Sequence, residues 1–195
     1  MKKRQEAPGE LEHVRAFVNT FDLDRASEQL ASVADLADWL IGHGLAPAGM
    51  RATRADLRRA RELREAIRSV LLAHTAGMPA PAEALRTFDQ IAARARVTLR
   101  FDERGGAQLE PVAAGVDGAL GRLLRIIQEA IADGTWLRMK ACREHTCEWA
   151  FYDHTKNRSG TWCTMQVCGN RTKARSYRER RARGEAPASA QAGQT

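Results

Sequence analysis

Apolar residues recur at helical spacing through most of the first 134 positions. Leu11, Val14, Phe17 and Val18 predict a helix over 10–19, and residues 20–31 read as a polar connection. Ser32 followed by Asp35 is a capping-box signature. It opens a helix whose apolar face carries Leu36, Trp39 and Leu40 and which ends at Gly42 to Gly44. Thr53 with Asp56 repeats the signature at the start of the longest pattern, where Leu57, Leu63, Ile67, Val70 and Leu71 form the stripe. Arg58, Arg59, Arg61, Arg64, Arg68, Glu62 and Glu65 cover the other sides, and Gly77 with Pro79 stops the helix. Residues 82–95 read as another helix through Leu85, Phe88 and Ile91. The period then changes to two. Residues 97–101 and 108–112 alternate around Glu103-Arg104-Gly105-Gly106, which predicts a β-hairpin. Leu120, Leu123, Leu124, Ile127 and Ile131 return to helix over 117–133, ending at Gly134.

Charge divides the chain differently. The sequence holds 31 Lys and Arg against 24 Asp and Glu, a formal net charge of +7. Residues 1–136 are balanced at 19 basic and 19 acidic side chains, whereas residues 137–183 carry 12 basic and 4 acidic. All four cysteines lie in that same basic stretch. Residues 1–9 and the tail 184–195, which lacks large apolar side chains, are expected to be disordered. The N-terminal segment has no apolar run that would read as a secretory signal, and no stretch is apolar enough to span a membrane. The expected location is the cytoplasm, where clustered cysteines mean metal or redox chemistry more often than structural disulfides.

The cysteines follow the pattern C-x4-C-x15-C-x4-C at Cys142, Cys147, Cys163 and Cys168. Two close pairs separated by a returning segment suit tetrahedral coordination of one structural Zn2+, a closed shell with no open position for substrate. Two disulfides, or a redox switch on the same thiols, would use the same residues, and the missing leader favours metal. His145 or His154 could replace a cysteine as ligand, but four thiolates already complete the shell, so both are expected to be exposed. Between the pairs runs an aromatic segment, with Trp149, Phe151 and Trp162 as its expected small core, and a turn at Lys156-Asn157-Arg158-Ser159-Gly160. A knuckle, a hairpin and then cysteines at a helix start is the order of a treble-clef finger. The fold class expected is α+β: a mainly α-helical N-terminal body with a small β-hairpin, followed by this finger.

After Cys168, Arg171, Arg175 and Arg178 fall on one helical stripe, with Lys173, Arg180, Arg181 and Arg183 beside them and Glu179 as the sole carboxylate between Arg171 and Arg183. Such a helix can grip phosphates or read base edges. Arg171, Lys173, Arg175, Arg178 and Arg181, with Lys156 and Arg158 from the turn, are the candidate nucleic-acid contacts. Lys140 and Arg143 would extend the patch. Asn170 either caps the last helix or orients a thiolate, and Arg171 either meets phosphate or pairs with Asp153. His13, His43 and His74 are isolated, and no nucleophile motif or phosphate loop accompanies them. Asp153-His154 with Asn157 has a faint likeness to metal-nuclease fingers but lacks their later histidine. The expectation is no enzyme.

The run Cys163-Thr164-Met165-Gln166-Val167-Cys168-Gly169-Asn170-Arg171-Thr172-Lys173, with Phe151-Tyr152-Asp153, Asn157-Arg158 and Trp162-Cys163, resembles the CGNR zinc finger. Phe17-Val18-Asn19-Thr20, Leu36-Ala37-Asp38-Trp39-Leu40, Gly44-Leu45 and Leu63-Arg64-Glu65-Ala66-Ile67 resemble the ABATE domain that usually precedes it. The resemblance implies an ABATE-like body over 10–134 and a finger with its basic helix over 135–183. It also implies a bacterial, stress-linked transcription regulator whose finger binds DNA and whose body senses a small-molecule effector. A non-enzymatic module that docks protein or RNA is the alternative. Gly160-Thr161 departs from the basic residues that the family often carries before Trp-Cys.

Overall fold

The computed structural model describes residues 6–183. The tail 184–195 and the first five residues of the segment 1–9 lie outside the described residues. Ala7 is buried, and its amide donates to the Glu12 carboxylate at 2.8 Å. The chain forms two compact units, Met1–Cys163 and Thr164–Thr195.

The first unit is mainly helical. Helices α1 (Leu11–Val18), α2 (Val33–Gly42), α3 (Arg54–Ala76), α4 (Ala82–Ala95) and α5 (Gly115–Ala132) enclose one core. Both capping boxes form: Ser32 and Thr53 accept from the amides of Asp35 and Asp56, whose carboxylates return the bond. Helix α3 buries Ala60, Leu63, Ile67, Val70 and Leu71 at alternating three- and four-residue steps, and Gly77 ends it in the left-handed conformation at φ 66°. Phe17, Leu36, Leu40, Leu120 and Leu123 meet this stripe.

Three antiparallel two-stranded sheets are present among the described residues. β1 (Phe21–Asp22) and β2 (Ser27–Glu28) pair inside the segment read as a polar connection. The expected hairpin forms from β3 (Val97–Phe101) and β4 (Ala107–Pro111), with Leu99 opposite Leu109. It packs on α5, where a Cβ on Gly121 would come within 2.5 Å of Ala95 Cβ and 2.7 Å of Pro111 Cβ. Two expected core residues lie elsewhere. Leu85 is 46% exposed because α4 turns Ala84, Phe88, Ile91 and Ala95 inward, and Ile131 is exposed because α5 buries Ile127 and Ala130.

The third sheet, β5 (Met139–Ala141) with β6 (Ala150–Tyr152), forms part of the body core. Met139, Ala141, Ala150 and Tyr152 belong to the same buried cluster as α3 and α5. Body side chains satisfy the backbone of this hairpin. The Asn19 carboxamide donates to the Ala150 carbonyl at 2.9 Å and accepts from the Ala150 amide at 2.8 Å. The Thr75 hydroxyl donates to the Ala141 carbonyl, and a His74 ring nitrogen lies 2.9 Å from the Met139 carbonyl. Arg64 and Arg68, expected on the outer sides of α3, are buried. Arg68 donates to the carbonyls of Val18, Phe21 and Glu148, and Glu65 accepts from both arginines. Arg64 donates to the Thr20 hydroxyl and the Glu28 carboxylate, and these buried partners of the two guanidinium groups override the polar pattern.

Replacing Asn19 with Ala leaves two buried backbone groups unpaired at roughly 1–3 kcal/mol each. Chemical denaturation of Asn19→Ala is expected to give a loss of about 3 kcal/mol, whereas a loss within experimental error would discount the clamp. Burial holds the His74 pKa below its ordinary value, against the Met139 carbonyl and with help from nearby Lys140. The unfolded chain therefore binds the proton more readily than the folded one. Stability from neutral His74 is full above about pH 6.5 and falls as pH drops towards the lower folded value. Denaturation between pH 7 and 5 should show a shallower loss in His74→Gln than in the parent.

Candidate metal centre and nucleic-acid interface

The knuckle begins where β5 ends. The Cys142 amide donates to the Trp149 carbonyl at 3.0 Å, and the amides of Cys147 and Glu148 both donate to the Glu144 carbonyl. Glu148 takes a left-handed backbone, φ 45°, as the chain turns from the knuckle into β6. Arg143 N donates to the Thr161 carbonyl, tying the knuckle to the segment that delivers Cys163.

The Cys142, Cys147, Cys163 and Cys168 sulfurs all lie within 4.8 Å of one another, and the Cys147 and Cys163 sulfurs are 3.7 Å apart. Tetrahedral zinc with bonds of about 2.3 Å places its sulfurs about 3.8 Å apart, so the donor set fits that ion. The chemistry of the thiols points the same way. Hydrogen bonds from Cys147 and Cys163 pull the Cys142 thiol down to about 2. The bond to Cys142 pushes Cys147 up to about 12, and bonds to Cys142 and Cys147 push Cys163 up as well. Thiols this crowded cannot all ionise without a cation among them. The four cysteines form a zinc-binding site. His145 is exposed beside Glu144, and His154 lies against the Glu6 carbonyl, so neither belongs to the sulfur cluster. Glu144, which no local pattern in the sequence singles out, has a fully buried carboxylate 3.2 Å from His145.

Lys140 is not a surface cation. Only 5% of it is exposed, and its ammonium donates to Asp153 Oδ2 at 2.8 Å and to the carbonyls of Arg158 and Gly160 at 2.5 and 3.0 Å. Asp153 also accepts from the Thr155 amide, the Thr155 hydroxyl and the Gly160 amide. Burial raises the Asp153 pKa, but the Lys140 ammonium and these donors outweigh it and hold the carboxyl at about 2. A lysine in a basic stretch reads as surface charge, and nothing local announces the partner thirteen residues away. Lys156 and Arg158 are exposed on the turn that this pair organises. Phe151 is buried, while Trp149 and Trp162 are half-buried.

In the second unit a π-helical turn, Met165–Gly169, leads into α6 (Asn170–Ala182). The amides of Cys168 and Gly169 share the Thr164 carbonyl, and the Thr172 hydroxyl donates to the Cys168 carbonyl. Asn170 does not cap α6. Its carboxamide donates back to the Gln166 carbonyl, and no side chain caps the helix start. A π-turn running straight into the helix keeps its first residues helical, so the extended backbone a capping residue needs is absent. Lys173, Arg178 and Arg181 are exposed, Arg171 and Arg175 half-buried, and no α6 residue is buried.

A family model for ABATE, described as "Putative stress-induced transcription regulator", matches residues 14–134, and one for the CGNR zinc finger matches residues 138–181. No curated protein matches the chain. Among the described residues no helix is long and apolar enough to cross a membrane.

Elemental analysis of protein purified without chelator is expected to give about one zinc per chain, and Cys142→Ser or Cys163→Ser should lower it below about half. Parent protein that holds under half a zinc would count against the assignment.

Proposed function

The chain belongs to the ABATE family and carries a CGNR zinc finger, and from that premise we propose that it is a transcription regulator that contacts DNA through the finger. The proposed division is a body over 10–134 and a treble-clef finger over 135–183. One observation carries the reading: α6 follows directly on a metal ligand and holds six cations against one carboxylate in 13 residues, none of them buried. A helix without a buried face gains little from packing, and neighbouring like charges on it repel. Such a surface is complementary to a polyanion. Arg171, Lys173, Arg175, Arg178 and Arg181 would meet phosphates or base edges, and Lys156 and Arg158 would contribute from the turn.

The body is proposed to sense a small molecule. A cavity of about 650 Å³ lies between α3 and α4, with Leu57, Ala66, Pro81 and Ala84 among its walls. Glu65, also in its wall, holds Arg64 and Arg68, and Arg68 reaches the Glu148 carbonyl beside the knuckle. An occupant that draws on Glu65 would therefore act on a bond that ends next to a metal ligand.

Duplex DNA titrated with the zinc-loaded chain is expected to bind with a steep salt dependence, about 0.9 in logarithmic slope for each phosphate neutralised. Arg175→Ala and Arg178→Ala should each lower that slope by about one if they grip phosphate. Selection from random duplexes would separate sequence readout from phosphate attraction. Failure to bind at low salt with zinc present would overturn the proposal, and preference for structured RNA in competition would replace DNA with RNA as partner.

A further inference from the structure

The turn over 155–160 is built around a buried ammonium. Lys140 Nζ makes three bonds, to Asp153 Oδ2 and to the carbonyls of Arg158 and Gly160, so the closing end of the turn and the carboxylate before it hang on one cation. Asp153 accepts from both ends of the turn. Its Oδ1 accepts from the Thr155 amide and hydroxyl at 3.0 and 2.7 Å, and its Oδ2 accepts from the Gly160 amide at 2.7 Å. The Thr155 hydroxyl oxygen in turn accepts from the Ser159 amide. Arg138, adjoining β5, donates to the carbonyls of Asp153 and Thr155.

Two backbone features follow from this packing. Arg158 sits in the left-handed region at φ 52°, a conformation that a non-glycine residue holds only when its surroundings impose it. Gly160 lies so close to Asp153 that a Cβ would stand 2.8 Å from the carboxylate. A side chain at 160 and the present Lys140–Asp153 geometry exclude one another. That gives a physical reason for the glycine at this position.

We propose that the buried Lys140–Asp153 pair is the positioning element of the turn, holding its backbone in one shape before any partner arrives so that Lys156 and Arg158 are offered to a polyanion from a fixed base. The use of those cations rests on the DNA-binding reading above. The fixing of the turn does not. Lys140 and Asp153 are positioning residues that act through the turn. The benefit is pre-organisation: a partner that meets a fixed backbone spends less binding energy on ordering it.

The test uses the zinc-loaded full chain and two readouts. Amide hydrogen exchange at Thr155, Ser159 and Gly160 is expected to be slow in the parent and at least about tenfold faster in Lys140→Met, with zinc content unchanged. For duplex affinity, Lys140→Met should weaken binding in the parent but add nothing in a Lys156→Ala/Arg158→Ala background, because its effect passes through those two side chains. Should Lys140→Met fail to fold, Gly160→Ala perturbs the same contact and should show the same pattern. Equal exchange in parent and variants overturns the proposal, as does a loss of affinity that is fully additive to the turn double variant. A parent with a protected turn that binds no duplex sinks the regulator reading and leaves the pair as the staple of the turn.

Discussion

A buried two-stranded hairpin has to satisfy its outer backbone edges, and here side chains of the body do so at β5 and β6. Asn19 closes two bonds on Ala150, Thr75 and His74 meet the carbonyls of Ala141 and Met139, and Arg68 takes that of Glu148. An unpaired buried amide or carbonyl is expensive, so these bonds are conditions of the fold. Cys142 follows β5 by one residue and Cys147 precedes β6 by three, so the first pair of metal ligands inherits its position from α1 and α3. The hairpin that frames the knuckle is in this sense part of the core.

The same constraint separates what the sequence discloses from what it conceals. Helix positions, both capping boxes, the 97–111 hairpin and the cysteine spacing are local signals, and local signals survive folding. Asn19 and Ala150 are 131 residues apart, and Arg68 and Glu148 80 apart. No window along the chain contains both partners of either bond. Lys140 is hidden for a related reason: its charge suits a surface patch until Asp153 and two carbonyls are placed around it. Leu85 gave way to Ala84 because a helix face is chosen by its neighbours, and neighbours are not visible in a hydropathy pattern.

Charge is used in two ways in this chain. In the interior it is paired and directional: Lys140 with Asp153, Arg68 with Glu65 and three carbonyls. On α6 six cations stand against one carboxylate, and none of them is buried. Four thiolates around one divalent ion also leave a local excess of about two negative charges. Formal charge counts alone therefore misjudge both the magnitude and the placement of what a partner would meet.

The absence of any buried side chain on α6 has an evolutionary side. Substitutions at exposed positions away from caps and special backbone usually change stability by no more than about 0.5 kcal/mol. The outward residues of α6 can therefore be rewritten with little effect on the core, whereas Asn19, Arg68 or Lys140 cannot. Such an arrangement lets the basic surface diversify among descendants while the body and its metal-bearing hairpin stay the same.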